Sequence, residues 1–258
     1  MFISQQLAQQ GISENGKCDV IKIGVYRKLP TEKEVYAGHA VEYEALVSRE
    51  DYQGNILKAI RDILPLGGLD VLDLGAGTGR LACLLAPHVR SVIAFDLSVH
   101  MLKIARDKLK HSSEDNWLAA ASDHRRLPLQ SGSADLMVSG WSVSYVTVWH
   151  PDEWRAEADA WLAEARRVLR QGGQIILFES LGTGNEAPQR LTHLENFYSW
   201  LAEAGFQTKW IRTDYRFETP EIGSEAAGFF FGEETREKIL RERITILPEC
   251  TGVWWLKA

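Results

Sequence analysis

Three scarcities narrow what this chain can be. Cysteine is rare: Cys18, Cys83 and Cys250 are the only three in 258 residues, odd in number and far apart. No pair stands at metal or redox spacing, which argues against a disulfide framework or a zinc site and fits a reducing compartment. Basic charge is not in excess, with 29 Lys and Arg against 35 Asp and Glu for a formal net charge of −6. A partner held through its phosphates needs a basic surface to release counterions, so no nucleic-acid partner is expected. Long apolar runs are missing as well, since no window nears the roughly 18 consecutive apolar residues of a membrane span. Residues 1–16 carry no basic stretch followed by an apolar core. The expectation is a cytoplasmic protein with no targeting segment and no membrane partner.

What is present alternates between strand and helix periods. Thr31 and Glu34 form a capping box, and Val35, His39, Tyr43 and Leu46 then recur at helical spacing. Ile56, Ile60 and Ile63 mark a second helix ended by Gly67-Gly68. Strands are expected at 71–74, 91–95, 117–121, 136–139 and 174–179, with helices at 80–86, 98–110 and 152–170 between them and Gly172-Gly173 closing the last. This alternation predicts βαβ units and a parallel sheet covered on both faces, an α/β doubly wound fold. The last third differs: a helix through Leu194, Phe197 and Leu201, a long strand over 207–217, a helical stretch around 229–243 and a closing strand at 252–256. Asp19–Tyr26 has strand character but no evident place.

One segment stands out, Val71-Leu72-Asp73-Leu74-Gly75-Ala76-Gly77-Thr78-Gly79-Arg80. Glycines after a strand let the backbone approach a ligand closely, and the helix that follows offers free N–H groups. A tight strand-to-helix turn accounts for the glycines equally well. The second strand, however, ends in Phe95-Asp96, 19 residues after Gly77. In a doubly wound sheet a carboxylate there lies beside the glycine loop, placed to accept hydrogen bonds from a ribose diol.

The ordered set Val71–Arg80, Asp96-Leu97-Ser98 with Met101-Leu102, Ser122-Asp123-His124 with Leu127-Pro128-Leu129, Ala134–Val138, and Ala165–Leu169 with Gly172-Gly173 resembles the motifs of class I S-adenosylmethionine-dependent methyltransferases of the type 11 kind. The resemblance covers about residues 50–180. It implies a mostly parallel seven-stranded sheet with an antiparallel C-terminal strand and helices on both faces. It also implies residues 1–48 as an N-terminal extension with a lid helix and 49–258 as the methyltransferase domain, with substrate-shaping insertions within 183–248. A dinucleotide-dependent oxidoreductase is the rival reading. Its fingerprint puts the third glycine where Arg80 stands, and an apolar residue where Asp73 stands. A third reading is a non-catalytic subunit that binds the cofactor only.

By the same resemblance, Asp73 with Gly75, Ala76 and Gly77 faces the methionyl part of S-adenosyl-L-methionine, and Asp96 faces the ribose. Leu97 and Met101 face the adenine, Asp123 and the His124 backbone its amino edge, and Ser139 completes the set; Met101 reads equally as a helix core residue. Ligands in open α/β sheets sit beyond the carboxyl ends of strands, which makes Trp141, Tyr145 and Tyr43 the substrate candidates. Methyl transfer from a sulfonium is an in-line displacement. Orientation alone supplies effective molarities of about 10⁵ M or more, and a base matters only where the nucleophile carries a proton. No catalytic residue is assigned; Tyr145, Glu179 and His39 are candidates, and structural roles stay open for each. The chain reads Ser139-Gly140-Trp141-Ser142 after the fourth strand, without the Asn/Asp-Pro-Pro-aromatic motif of relatives that methylate planar amino groups, and has no cysteine there. With the negative charge, this favours a small-molecule acceptor, handled by a monomer or homodimer.

Overall fold

Residues 38–112 and 114–258 are described by the computed structural model. The Thr31–Glu34 capping box, Val35 and the Asp19–Tyr26 stretch lie outside them. Asp70–Leu74 (β1), Ser91–Asp96 (β2), Trp117–Ala121 (β3), Ala134–Gly140 (β4) and Leu169–Thr183 (β5) pair in parallel in the order β3-β2-β1-β4-β5. Gln207–Arg212 (β6) and Glu249–Lys257 (β9) complete a seven-stranded sheet of order β3-β2-β1-β4-β5-β9-β6, in which β9 runs antiparallel to both neighbours. The parallel, doubly wound part is as expected from the strand and helix alternation, and the seven strands with an antiparallel C-terminal strand are as the resemblance implies.

Period-two alternation divides the core between the sheet's faces. Leu72, Leu74, Ile175 and Leu177 enter one apolar cluster with Trp161, Phe197 and Trp200, while Val71, Ile176, Phe178 and Val253 enter the other with Ile56 and Ile60. Asn55–Ile63 (α2), Arg80–Leu85 (α3), Val99–His111 (α4), Val146–Trp149 (α5), Trp154–Val168 (α6) and Glu195–Glu203 (α7) supply the covering helices. Asp73 and Glu179 continue the alternation at the carboxyl ends of β1 and β5, where it places carboxylates instead of aliphatic side chains; they are 1% and 2% exposed. Both therefore lie at the edge of the sheet where ligands bind.

A third cluster caps that edge. Ala40–Val47 (α1), Tyr215–Arg216 (β7), Pro220–Phe231 (α8), Glu233–Glu242 (α9) and Ile246–Leu247 (β8) contribute Leu46, Tyr215, Ala227, Ile239 and Leu247 to it, joined by Phe217 just after β7.

Three expectations need correction. The 207–217 strand breaks at Thr213-Asp214, because Arg212 closes on Asp214 (Nε to Oδ1 2.7 Å) and Asp214 accepts the Glu249 N–H, so the chain turns out of the sheet and β7 pairs with β8 instead. The helical stretch expected at 229–243 is two helices. Thr219, whose hydroxyl accepts the Ile222 N–H, and Pro220 start α8 earlier, and Gly232 at φ 96° separates it from α9. Gly172-Gly173 does not close α6, which stops at Val168; β5 begins at once, and the glycines sit in its irregular start, where the register shifts between Ala134 and Leu136.

Candidate active site

The loop between β1 and α3 is folded by its own polar atoms. The Gly75 and Ala76 N–H groups donate to the Phe95 carbonyl at 2.8 and 2.9 Å, which ties the loop to the end of β2. Asp96 Oδ2 accepts the Gly77 N–H at 2.8 Å and Oδ1 accepts the Ser98 N–H at 2.7 Å. The hydroxyl of Ser98, not the Asp96 carboxylate, caps α4 by accepting the Met101 N–H. Asp73 Oδ2 accepts the Ala82 N–H in the first turn of α3, a donor that no helix carbonyl can meet. Its Oδ1 is buried without a hydrogen-bond partner among the described residues, as is Thr78 Oγ1. Burial pushes the Asp73 carboxyl up to about 7 and raises that of Asp96 as well.

The remaining cofactor candidates divide into two groups. Leu97 is 62% exposed next to Asp96, an apolar side chain open to a flat ring. Asp123 is held by Arg125, whose guanidinium keeps it down at about 2, and burial lowers the His124 imidazole to about 4. Met101 is wholly buried, which is its helix-core alternative. Ser139 Oγ donates to the Leu74 carbonyl at 2.6 Å, so that hydroxyl is engaged between β1 and β4.

Two hollows meet at Tyr43, Arg80 and Trp141. A small one touches Asp73, Gly75, Ala76 and Thr78. The larger, a cavity of about 210 Å³, is lined by Trp141, Tyr145, Glu179 and the aromatic end of α8. Trp141 sits at φ 50° with the Arg80 guanidinium 3.6 Å from its ring centroid, and packs on Phe178. Tyr145 stacks on Trp149, and Tyr43 lies against Phe230, its phenol pushed up to about 12 by burial. Glu179 accepts from the Ser144 N–H (3.1 Å) and hydroxyl (2.7 Å), and burial lifts it to about 7. The substrate candidates Trp141, Tyr145 and Tyr43, with Glu179, are thus gathered on one cavity. His39 is not: at the start of α1 it pairs with Glu42 at 3.4 Å and lies against Phe229.

Sequence reasoning missed Arg80, Glu50 and Glu249. Arg80 pairs with Glu50, which is buried and also receives the Thr213 hydroxyl. Glu249 is 2% exposed at the start of β9. Only Glu249 carried a signal, an acid leading into the apolar run Cys250–Leu256.

Residues 72–177 match the family model described as a methyltransferase domain. A malonyl-[acyl-carrier protein] O-methyltransferase of Marinomonas sp. (strain MWYL1) is 33% identical over 141 residues, covering 54% of this chain and 48% of that protein. The biotin biosynthesis bifunctional protein BioHC of Saccharophagus degradans is 28% identical over 83% of this chain and 35% of its own. A demethylmenaquinone methyltransferase of Lactococcus lactis is 28% identical over 57% of this chain and 58% of its own. The chain spans about half the length of the curated relatives it matches, or less. The YcgJ protein from Bacillus subtilis shares the fold at TM-score 0.54 and 15% identity, covering 80% of this chain and 99% of that one. The [4+2]-cyclase SpnF does so at 0.53 and 19%, covering 80% of each. Residues 72–177, which form the centre of the seven-stranded sheet, are thus a methyltransferase domain.

Proposed function

We propose that the protein transfers a methyl group from S-adenosyl-L-methionine to a small-molecule acceptor in the cavity beside Trp141. The single observation that carries this reading is the unpartnered, buried Asp73 Oδ1 in the hollow between the glycine loop and Trp141, adjoining a larger cavity. A buried carboxylate oxygen without a donor is costly, and an amino group arriving at the loop would meet it. The loop fits the cofactor on a second count: a Cβ at Gly77 would have only the Tyr43 ring, at 4.0 Å, near it, so the backbone stands open to close approach.

Asp73 and the loop at Gly75–Gly77 would hold the methionyl portion and Asp96 the ribose hydroxyls. Leu97 would lie against the adenine, with Asp123 and the His124 backbone at its edge. When bound, the cofactor supplies a methyl group on a positively charged sulfur that leaves as a neutral thioether. Tyr43, Arg80 and Trp141 stand between the two hollows, where they would orient the acceptor against that methyl and shut out water. Tyr145 and Glu179 are the candidates for holding the acceptor's polar group. The free thiols of Cys83 and Cys250 suit the proposed cytoplasmic setting, and a monomer or homodimer suffices for this chemistry.

Titration calorimetry separates the alternatives. S-adenosylmethionine and its demethylated product S-adenosylhomocysteine are expected to bind, and nicotinamide dinucleotides are not. Binding of the dinucleotide alone would overturn the proposal in favour of an oxidoreductase. The SpnF likeness makes the test necessary, because the same fold carries a cyclase.

A further inference from the structure

The acceptor cavity is rich in acid. Glu50, Glu179 and Glu249 line it with one guanidinium, Arg80, and that cation is already paired with Glu50. His193 also lines it, and burial lowers its imidazole, which disfavours the charged form. Glu179 and Glu249 thus form no ion pair among the described residues. Glu179 accepts twice from Ser144. Glu249 Oε1 accepts the Ser180 hydroxyl at 2.7 Å and Thr183 is beside it, while Oε2 is buried with no hydrogen-bond partner among the described residues. Burial and the charge of Glu50 push the Glu249 carboxyl up. A protein does not leave such an oxygen unmet without cost, and a donor that carries positive charge relieves both the unmet oxygen and the excess of acid. The walls add to this: Tyr43, Tyr145, Phe230 and Phe231 line the same cavity, and aromatic faces attract cations. A carboxylate acceptor would face two carboxyl groups and a guanidinium already paired with Glu50.

We propose that the methyl acceptor is a small amine bound as its ammonium, donating to Glu249 Oε2, with Glu179 as the second carboxylate and the aromatic walls around it. This rests on the methyltransferase reading and names its acceptor class. For transfer, the ammonium gives one proton to the Glu249 carboxylate. The nitrogen pair so freed forms the N–CH₃ bond as the C–S bond breaks, and the breaking bond's electron pair stays on sulfur. The product leaves as a methylated ammonium, and the Glu249 carboxyl returns its proton to solvent.

Calorimetry on the full chain saturated with S-adenosylhomocysteine tests it, with benzylamine, benzyl alcohol and benzoate as matched probes. Benzylamine is expected to bind about tenfold or more tighter than benzyl alcohol, the scale of one charge-assisted hydrogen bond, and benzoate to bind least. Glu249→Gln should remove that preference and leave S-adenosylhomocysteine affinity unchanged. If that variant does not fold, the three probes on the unaltered chain decide alone. Failure of S-adenosylhomocysteine to bind sinks the methyltransferase reading itself. Normal S-adenosylhomocysteine binding, with benzylamine unbound or no better than benzyl alcohol or benzoate, overturns the amine assignment only.

Discussion

Asp96 reaches back to Gly77: its Oδ2 accepts the Gly77 N–H at 2.8 Å across 19 residues of sequence. The end of β2 and the glycine loop are thereby one unit, and the carboxylate is oriented before any ligand arrives. Such preorganisation spares the ligand the entropy of ordering the side chain.

Asp96→Ala is therefore expected to weaken S-adenosylmethionine binding by about 1–3 kcal/mol, the cost of leaving ribose hydroxyls unpaired. Titration calorimetry reads this directly. Unchanged affinity would remove Asp96 from the site.

The two loop glycines should separate folding from binding. A Cβ at Gly75, where φ is 69°, would fall 1.9 Å from Ser142 Oγ, so Gly75→Ala should cost about 2–4 kcal/mol of stability from backbone strain and overpacking together. At Gly77, with φ 54° and only the Tyr43 ring at 4.0 Å, alanine should cost about 1–2 kcal/mol. Its added methyl would stand where the cofactor must approach, so affinity should fall about tenfold or more. Urea denaturation and calorimetry check the pair; a Gly77→Ala protein that binds normally would contradict the loop's role.

Arg80 and Glu50 form a largely buried pair whose side chains are 19% and 3% exposed. Arg80→Ala strands the Glu50 carboxylate and should cost about 3–5 kcal/mol, and adding Glu50→Gln should recover much of that loss. A double-mutant cycle in denaturant measures the coupling. Additive costs would show that the two act independently.

Asp73 gives a pH signature. Burial lifts its folded-state carboxyl to about 7, whereas an unfolded aspartate titrates near ~4. Between these values the folded protein holds a proton that the unfolded chain has lost, so Asp73's contribution is full below ~4 and declines as pH rises toward 7. His124, lowered to about 4 by burial, acts with the opposite sign, since the unfolded chain binds the extra proton there. Comparison with Asp73→Asn cancels that background: in the ligand-free protein the variant's melting temperature should gain on the unaltered chain as pH rises from 5 to 7. A constant difference would mean that Asp73 is ionised in the fold throughout.

How much of this was legible in the sequence depended on whether the signal was local. Short apolar runs such as Ile175–Phe178, and the glycines of Gly75–Gly79 directly after a strand, are written within a few residues, and the sheet with its glycine loop could be read from them. The break at Thr213-Asp214 could not, because besides the local Arg212–Asp214 pair it depends on the Glu249 N–H that Asp214 accepts and the Glu50 carboxylate that takes the Thr213 hydroxyl, both from distant parts of the chain. The cavity's charge was hidden for the same reason. Glu50 follows α1, Glu179 lies in the last third of β5 and Glu249 opens β9, and only the packed sheet edge and its cap bring them together. His39, by contrast, lay at correct helical spacing from Tyr43, but the first turn of α1 carries it to Glu42 and Phe229 instead.

A crystal structure of the full chain with S-adenosylhomocysteine tests the central claim most directly. The account predicts ribose hydroxyls on Asp96, the amino group of the methionyl portion near Asp73 Oδ1, and the sulfur facing the cavity that holds Trp141, Glu179 and Glu249. A ligand bound elsewhere, or a sulfur turned away from that cavity, would contradict it.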